Sequence, residues 1–182
     1  MALLVLVVSA GVLIAWRSSQ RRRRRHLRGQ PLPDRWRPAV EAVLARYPGM
    51  PAGLRGELAG RVNEFVHEKQ FLGCNGLQIT DEIRATIATH ACLLLLNRDV
   101  PTFPAVRTIL AYPGAFVAEF QEYEDWLQHE IREVRAGESW EGGPLILAWD
   151  EALADARAGD ERNVIVHEFA HKLDEENPTG PG

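Results

Sequence analysis

The sequence is poor in cysteine and in aromatic residues. Of its 182 residues, two are cysteines, Cys74 and Cys92, and aromatic side chains make up 8%. Two cysteines cannot build a disulfide framework, and there is no C-x-x-C pair to form a metal knuckle. With 46% hydrophobic and 25% charged residues, the chain does not fall into the disordered or collagen-like classes. Its length predicts one globular domain plus an appendage.

Acidic residues are missing from the N-terminal segment. Residues 17–28 contain seven arginines and no acid, so residues 29–182 carry the other 14 lysines and arginines against all 25 acids, a net charge of −11. Such an acidic body is a poor match for nucleic-acid phosphates, and direct nucleic-acid binding is not expected.

The first 16 residues, Met1–Trp16, have no charged side chain at all. As a helix they would measure about 24 Å, somewhat less than the roughly 30 Å of a hydrocarbon core, and snorkelling arginines could make up the difference. The pattern therefore predicts a single N-terminal membrane helix at 1–16, followed by an Arg-rich juxtamembrane segment and a Pro-rich linker at 17–38. A cleaved signal peptide is the alternative, but its positive charge precedes the apolar run.

The position of the arginines predicts the location of the protein. By the positive-inside rule, the arginines and everything after them lie in the cytoplasm. We therefore expect a single-pass protein of the inner (cytoplasmic) membrane with its body in the cytoplasm, and the alternative is a cytoplasmic protein.

Hydrophobic periodicity and capping residues predict the elements of the body. Thr80 is the expected N-cap of a buried helix that runs to about Leu96, in which His90 and Cys92 are read as core residues. Residues 101–117 favour strands and turns, and 119–135 are ambiguous between helix and strand. Further helices are expected at 38–47, 54–70 and 163–176, a turn at 73–77, and a strand at 144–149 followed by a short helix capped by Asp150.

The last predicted helix contains an H-E-x-x-H pattern, His167-Glu168-Phe169-Ala170-His171. Chance would give this pattern in about 2% of chains of this composition. Residues i and i+4 lie on one helix face, so both imidazoles can reach one ion, and neutral imidazole suits zinc. Glu168 would act as the base that takes a proton from water activated by the metal. The intervening Phe169 points away from this face and, with Ile165 and Leu173, forms a stripe towards the core.

A peptidase zinc site needs a third protein ligand. Asp174 and Asn177 stand where the metzincin pattern has a glycine and its third histidine. Glu175 lies about 12 Å along the axis from His167, so the third ligand must come from another element. Asp174 is read as a group that hydrogen-bonds a ligand or contacts the helix end.

Four stretches resemble the Mlc titration factor A family of zinc-dependent, gluzincin-like bacterial peptidases. They occur in the family's order and are 77–96 (LQITDEIRATIATHACLLLL), 109–117 (ILAYPGAFV), 137–150 (GESWEGGPLILAWD) and 163–174 (NVIVHEFAHKLD). The resemblance implies an α+β zincin-like fold with an active-site helix and an N-terminal helical portion. It also implies aminopeptidase-type activity, zinc bound by His167 and His171, and Glu168 as the catalytic base.

In that family a glutamate on a later helix supplies the third ligand. This sequence ends at Gly182, 11 residues after His171, so that glutamate has no counterpart. We therefore expect residues 39–182 to be a zinc peptidase domain that is incomplete at its C-terminal end and belongs to a longer protein.

Two functions follow from these observations. The first is a zinc-dependent metallopeptidase that hydrolyses peptide bonds. Its substrate would pair with strand 144–149 beside the cleft, with Glu138 and Trp140 near the entrance, although Trp140 is equally well read as a core anchor. The alternative is a regulatory protein that binds and titrates a glucose-type transcription repressor, with peptidase activity secondary or absent.

Overall fold

The computed structural model describes residues 2–114, 116–117, 134–135, 137–139, 143–158 and 163–176, and it has the predicted α+β character. The helices are α1 (Ala2–Gly29), α2 (Arg37–Leu44), α3 (Ala52–Glu68), α4 (Asp81–Leu93), α5 (Trp149–Ala158) and α6 (Val164–Glu176). The strands are β1 (Gln70–Gly73), β2 (Thr108–Tyr112), β3 (Phe116–Val117), β4 (Val134–Arg135), β5 (Gly137–Ser139) and β6 (Leu145–Ala148).

The main sheet has four strands in the order β1-β2-β6-β5. Strands β1, β2 and β6 are parallel, and β5 runs antiparallel to β6. Helix α4 lies between β1 and β2 in the chain, as a connection between parallel strands requires. Strands β3 and β4 form a separate antiparallel pair.

The core lies where α3, α4 and α6 pack together beside the sheet. It is built from fully buried apolar side chains, among them Phe65 of α3, Ile87 of α4, Leu147 of β6 and Phe169 of α6. Most of α4 after its acidic first turn is buried, because α3 and α6 both contact it.

Local signals placed several of these elements correctly. Thr80 caps α4 as predicted, since its hydroxyl accepts a hydrogen bond from the Ile83 backbone N–H at 3.2 Å. The expected helices at 38–47 and 54–70 correspond to α2 and α3. The capping role expected for Asp150 is wrong: α5 already begins at Trp149, so Asp150 lies in its first turn. Most of 119–135 lies outside the described residues.

The expected single N-terminal membrane helix is wrong. Among the helices that the structure describes, none combines the length and the apolar character needed to cross a membrane. The physical reason is that a span needs about 20 apolar residues, whereas the uncharged part of α1 ends before Arg17 and the helix continues through the arginines to Gly29. The membrane contact and the single-pass arrangement inferred from that helix lose their basis.

The C-terminal half of α1 packs against α3. Arg28 forms an ion pair with Glu64, a fully buried carboxylate, and Arg24 bonds Glu68 at 2.8 Å. The Asn63 side-chain amide donates to the Leu27 carbonyl oxygen at 2.8 Å. Because an unpaired buried charge is costly, the carboxylate of Glu64 holds the two helices together.

Gly60 allows this close approach. A Cβ atom at this position would lie 2.6 Å from the Arg28 carbonyl oxygen, which is backbone and cannot turn aside. Gly56, one turn earlier on α3, is exposed, and a Cβ there would meet nothing within 4 Å. The two glycines therefore make a matched pair on one helix.

We expect Gly60→Ala to lower the free energy of unfolding by about 1–2 kcal/mol, because forcing extra volume into a packed contact outweighs the gain in helix propensity. Gly56→Ala should raise it by up to about 1 kcal/mol through propensity alone. Urea unfolding of both variants measures the difference. Equal stabilisation by the two substitutions would show that α1 does not pack on α3 in this way.

Candidate metal centre

The N-terminus of α6 is fixed by two side chains. The Val166 backbone N–H donates to the Asn163 side-chain oxygen at 3.0 Å, and the Val164 N–H donates to a carboxylate oxygen of Asp155 on α5, also at 3.0 Å. These bonds satisfy two of the backbone N–H groups in the first turn, which have no partner within the helix itself. The predicted start of this helix is confirmed, whereas the contribution of Asp155 was not predicted. Asp160 and Glu161, acidic residues that also indicate a helix start in the sequence, lie outside the described residues.

One face of α6 is anchored in the core. Ile165 and Phe169 are fully buried and Leu173 is 8% exposed, which confirms the predicted stripe. The ring of Phe169 packs edge-on against Phe103 and Phe65, with centroid distances of 4.7 and 5.6 Å. The rotation of α6 about its own axis is thereby fixed.

The opposite face carries the two histidines. His167 and His171 are both exposed, their ring centroids are 4.4 Å apart, and their planes are nearly perpendicular. The two Nε2 atoms lie 3.0 Å from each other. The same ring nitrogen of each imidazole is therefore presented to one small region of space.

This pair of nitrogens suits a zinc ion. With Zn–N bonds of about 2.0–2.1 Å and tetrahedral angles, two ligating nitrogens lie about 3.3 Å apart, so a slight rotation of either ring accommodates the ion. Neutral imidazole is also a preferred donor for zinc. The residues present thus fit the metal as two of its protein ligands.

Glu168 and Asp174, the two acidic residues predicted to act with the histidines, differ in position and exposure. Glu168 lies about 80° around the helix from the mean direction of the two imidazoles, and its side chain is 6% exposed. Asp174 is exposed, one turn beyond the histidines and on their face. Its assignment to a ligand contact or to the helix end remains a prediction, as does the role of Glu168 as base.

A third ligand is not provided by the described part of the chain, in which no group of three or more His, Cys, Asp or Glu side chains could hold a metal ion. His90 and Cys92 are buried in α4 as expected, and His90 Nδ1 lies 2.9 Å from the Thr86 carbonyl oxygen. Burial lowers the pKa of His90 and raises the pKa of the Cys92 thiol. Both are therefore uncharged core groups.

Comparison with known proteins identifies the family of the chain. The family model of the glucose-regulated metallo-peptidase M90 matches residues 17–182. The chain belongs to this metallopeptidase family.

Individual relatives support the family assignment. An uncharacterized protein, slr2042, of Synechocystis sp. is 41% identical over 155 residues, which cover 84% of this chain and 56% of the relative. Mlc titration factor A of Klebsiella pneumoniae (strain 342) is 36% identical over 123 residues, 66% of this chain and 44% of the relative. Mlc titration factor A of Enterobacter sp. (strain 638) is 32% identical over 148 residues, which cover 80% of this chain and 55% of the relative. The chain spans about half the length of these relatives.

The strand that a peptide could pair with differs from the one expected. Strand β6, within the predicted 144–149, is fully buried and is paired on both sides, with β2 and with β5. A peptide therefore cannot add to it, and that expectation is wrong. Strand β5 is terminal in the described sheet and contacts α6. Glu138 lies in β5, opposite Ile146, and Trp140 is outside the described residues.

We expect the complete protein to bind one zinc ion, and His167→Ala and His171→Ala each to abolish stoichiometric binding, because each removes one of two converging donors. His67→Ala is the control, since His67 is also exposed but belongs to α3. Metal analysis after dialysis against buffered zinc measures the content. Equal zinc in wild type and His171→Ala would rule out the assignment.

Proposed function

We propose that this chain carries the metal-binding helix of a zinc-dependent metallopeptidase of the aminopeptidase type. The proposal depends on one observation above all: the Nε2 atoms of His167 and His171 lie 3.0 Å apart on a helix whose opposite face is locked in the core. Glu168 adjoins the first histidine in sequence. Together these residues supply two imidazole donors and a carboxylate on adjoining faces of one helix.

Each residue has a separate task in this proposal. The imidazoles of His167 and His171 would hold the zinc, which when bound would polarise the scissile carbonyl group and make water more acidic. The Glu168 carboxylate would accept the proton from the attacking water and pass it to the leaving amine. The buried stripe of Ile165, Phe169 and Leu173 would keep these groups in register during the reaction.

The third ligand is assigned by resemblance to a glutamate on a later helix. The relatives are about twice as long as the stretch that this chain matches, so they contain further segments from which such a ligand could come. We propose that the site is completed by a residue outside α6, because the third donor cannot reach the same ion from the helix face that carries both histidines.

Strand β5 is our candidate for placing the substrate. It is terminal in the described sheet, runs antiparallel to β6 and contacts α6. An extended peptide could pair its backbone with such an edge, since strand addition requires only unpaired N–H and C=O groups. The scissile bond would then lie above the histidine face of α6.

A second function is suggested by the relatives. Several of them are named Mlc titration factor A, a name that describes titration of a repressor and not peptide hydrolysis. We therefore propose, as the alternative function, that the complete protein binds an Mlc-like transcription repressor. Binding would depend on a surface, whereas hydrolysis depends on Glu168, so one substitution separates the two functions.

We expect Glu168→Gln to retain zinc and fold but to lose about 10²–10⁴-fold in the rate of peptide hydrolysis. The amide has nearly the same volume and leaves both imidazoles in place, but it cannot accept a proton from water. Hydrolysis of chromogenic amino-acid amides, zinc content and repressor affinity should be measured on the same preparations of the complete protein. Glu175→Gln is the matched control, because this glutamate on α6 bonds Lys172 at 2.8 Å and has no assigned role in the reaction.

Undiminished hydrolysis by Glu168→Gln would remove Glu168 from the mechanism. If wild type binds the repressor and hydrolyses no peptide, the repressor-binding function is correct and the peptidase function is not.

A further inference from the structure

Lys69 is a buried cation at the junction of α3 and β1. It is 8% exposed and follows the last residue of α3, where its backbone leaves the helical conformation. Its Nζ donates a hydrogen bond to the Phe103 carbonyl oxygen at 2.5 Å and lies 5.7 Å from the ring centroid of Phe65. Lys69 thus contacts Phe65, four residues before it on α3, and Phe103, 34 residues after it in the chain.

Phe103 has a backbone conformation that it would not adopt by itself. Its φ angle is 45°, in the left-handed region that bulky L-residues avoid, and its side chain is fully buried. Such a conformation persists only where its surroundings enforce it. At Phe103 the hydrogen bond from Lys69 joins two local backbone bonds, from the Phe103 N–H to the Pro101 carbonyl oxygen at 3.1 Å and from the Val106 N–H to the Phe103 carbonyl oxygen at 3.2 Å. Arg28 Nη2 donates to the hydroxyl of the preceding Thr102 at 3.3 Å.

The enforced position of Phe103 is transmitted to α6. Phe103 and Phe65 pack against each other with centroids 6.3 Å apart, and both contact Phe169. Phe169 directly follows Glu168 and lies between the two histidines in sequence. Because tightly packed cores do not deform freely, a shift of the Phe103 ring must move Phe169 or the helix that carries it.

We propose that Lys69 is a positioning residue for the metal site. It holds Phe103 in its left-handed conformation, and the Phe65–Phe103 pair then fixes the position and rotation of α6 through Phe169. This role requires no contact of Lys69 with metal or substrate. This inference rests on the proposed function, since it assumes that α6 carries a metal site. The packing of α6 can nevertheless be measured without metal.

The test uses Lys69→Met, which keeps the apolar stem and removes the donor, and Phe103→Leu, which keeps Lys69 and removes the ring. Arg55→Met is the matched control: Arg55, which lies on α3, also donates to backbone carbonyls, those of Met50 at 3.1 Å and Pro48 at 3.2 Å. Two quantities are measured on folded, complete protein: amide hydrogen exchange without metal, and affinity for Co²⁺ as a coloured substitute for zinc.

We expect Lys69→Met to speed exchange in residues 101–106 and 164–171, to leave α2 unchanged, and to weaken Co²⁺ binding by about tenfold, at the lower end of effects seen for residues behind metal ligands. Phe103→Leu should do the same, and the double variant should be no worse than the poorer single one, because both act through one contact. Arg55→Met should change neither quantity at α6.

Folded Lys69→Met with wild-type exchange in α6 and wild-type Co²⁺ affinity would overturn the proposal. If Lys69→Met does not fold, Phe103→Leu decides: unchanged exchange in α6 would overturn it equally. If wild type binds no Co²⁺, the proposed function fails, whereas the exchange of α6 still decides whether Lys69 positions the helix.

Discussion

The burial of Phe169 is the constraint on which the site depends. This ring lies about 200° around α6 from His167 and is fully enclosed by core residues that include Phe65 and Phe103. Burying such a side chain is worth about 1.5–3 kcal/mol. Any rotation of α6 that turned the histidine face to another direction would expose Phe169 or force it into its neighbours, so core packing sets the direction in which both imidazoles point.

Helix α3 links this packing to the rest of the molecule through buried charges. Glu64 pairs with Arg28 of α1, Arg61 donates to the carbonyl oxygens of Arg98 and Val100, and Lys69 donates to that of Phe103. A buried charge without a partner is strongly unfavourable, so each of these groups restrains the segment that it bonds. The arginines of α1 and the loop before β2 are therefore tied to the same helix that supports Phe169.

Features set by local chemistry could be predicted from the sequence. The capped start of α4 at Thr80, the capped start of α6 and the placement of both histidines on one face depend on residues within a turn of each other, and the structure has them all. The membrane helix was wrong because the uncharged run was too short, at 16 residues, for the role given to it.

Features that depend on distant residues could not be predicted. Strand β1 is four residues long with one buried side chain, and it exists because β2 pairs with it. From the sequence alone, β6 was predicted to lie at the edge of a cleft. That prediction fails because β5, from a separate stretch of the chain, pairs with its second edge. The residue type of Phe103 does not predict its positive φ angle, and one of the hydrogen bonds that hold it comes from Lys69, 34 residues away.

The zinc K-edge absorption spectrum of the complete protein tests the central claim most directly, because it counts the ligand atoms around the metal. The account predicts two imidazole ligands with Zn–N distances of about 2.0–2.1 Å and no sulfur shell at about 2.3 Å. One of the two imidazole contributions should disappear in His171→Ala. A zinc shell with sulfur, or a wild-type spectrum with fewer than two imidazoles, would contradict it.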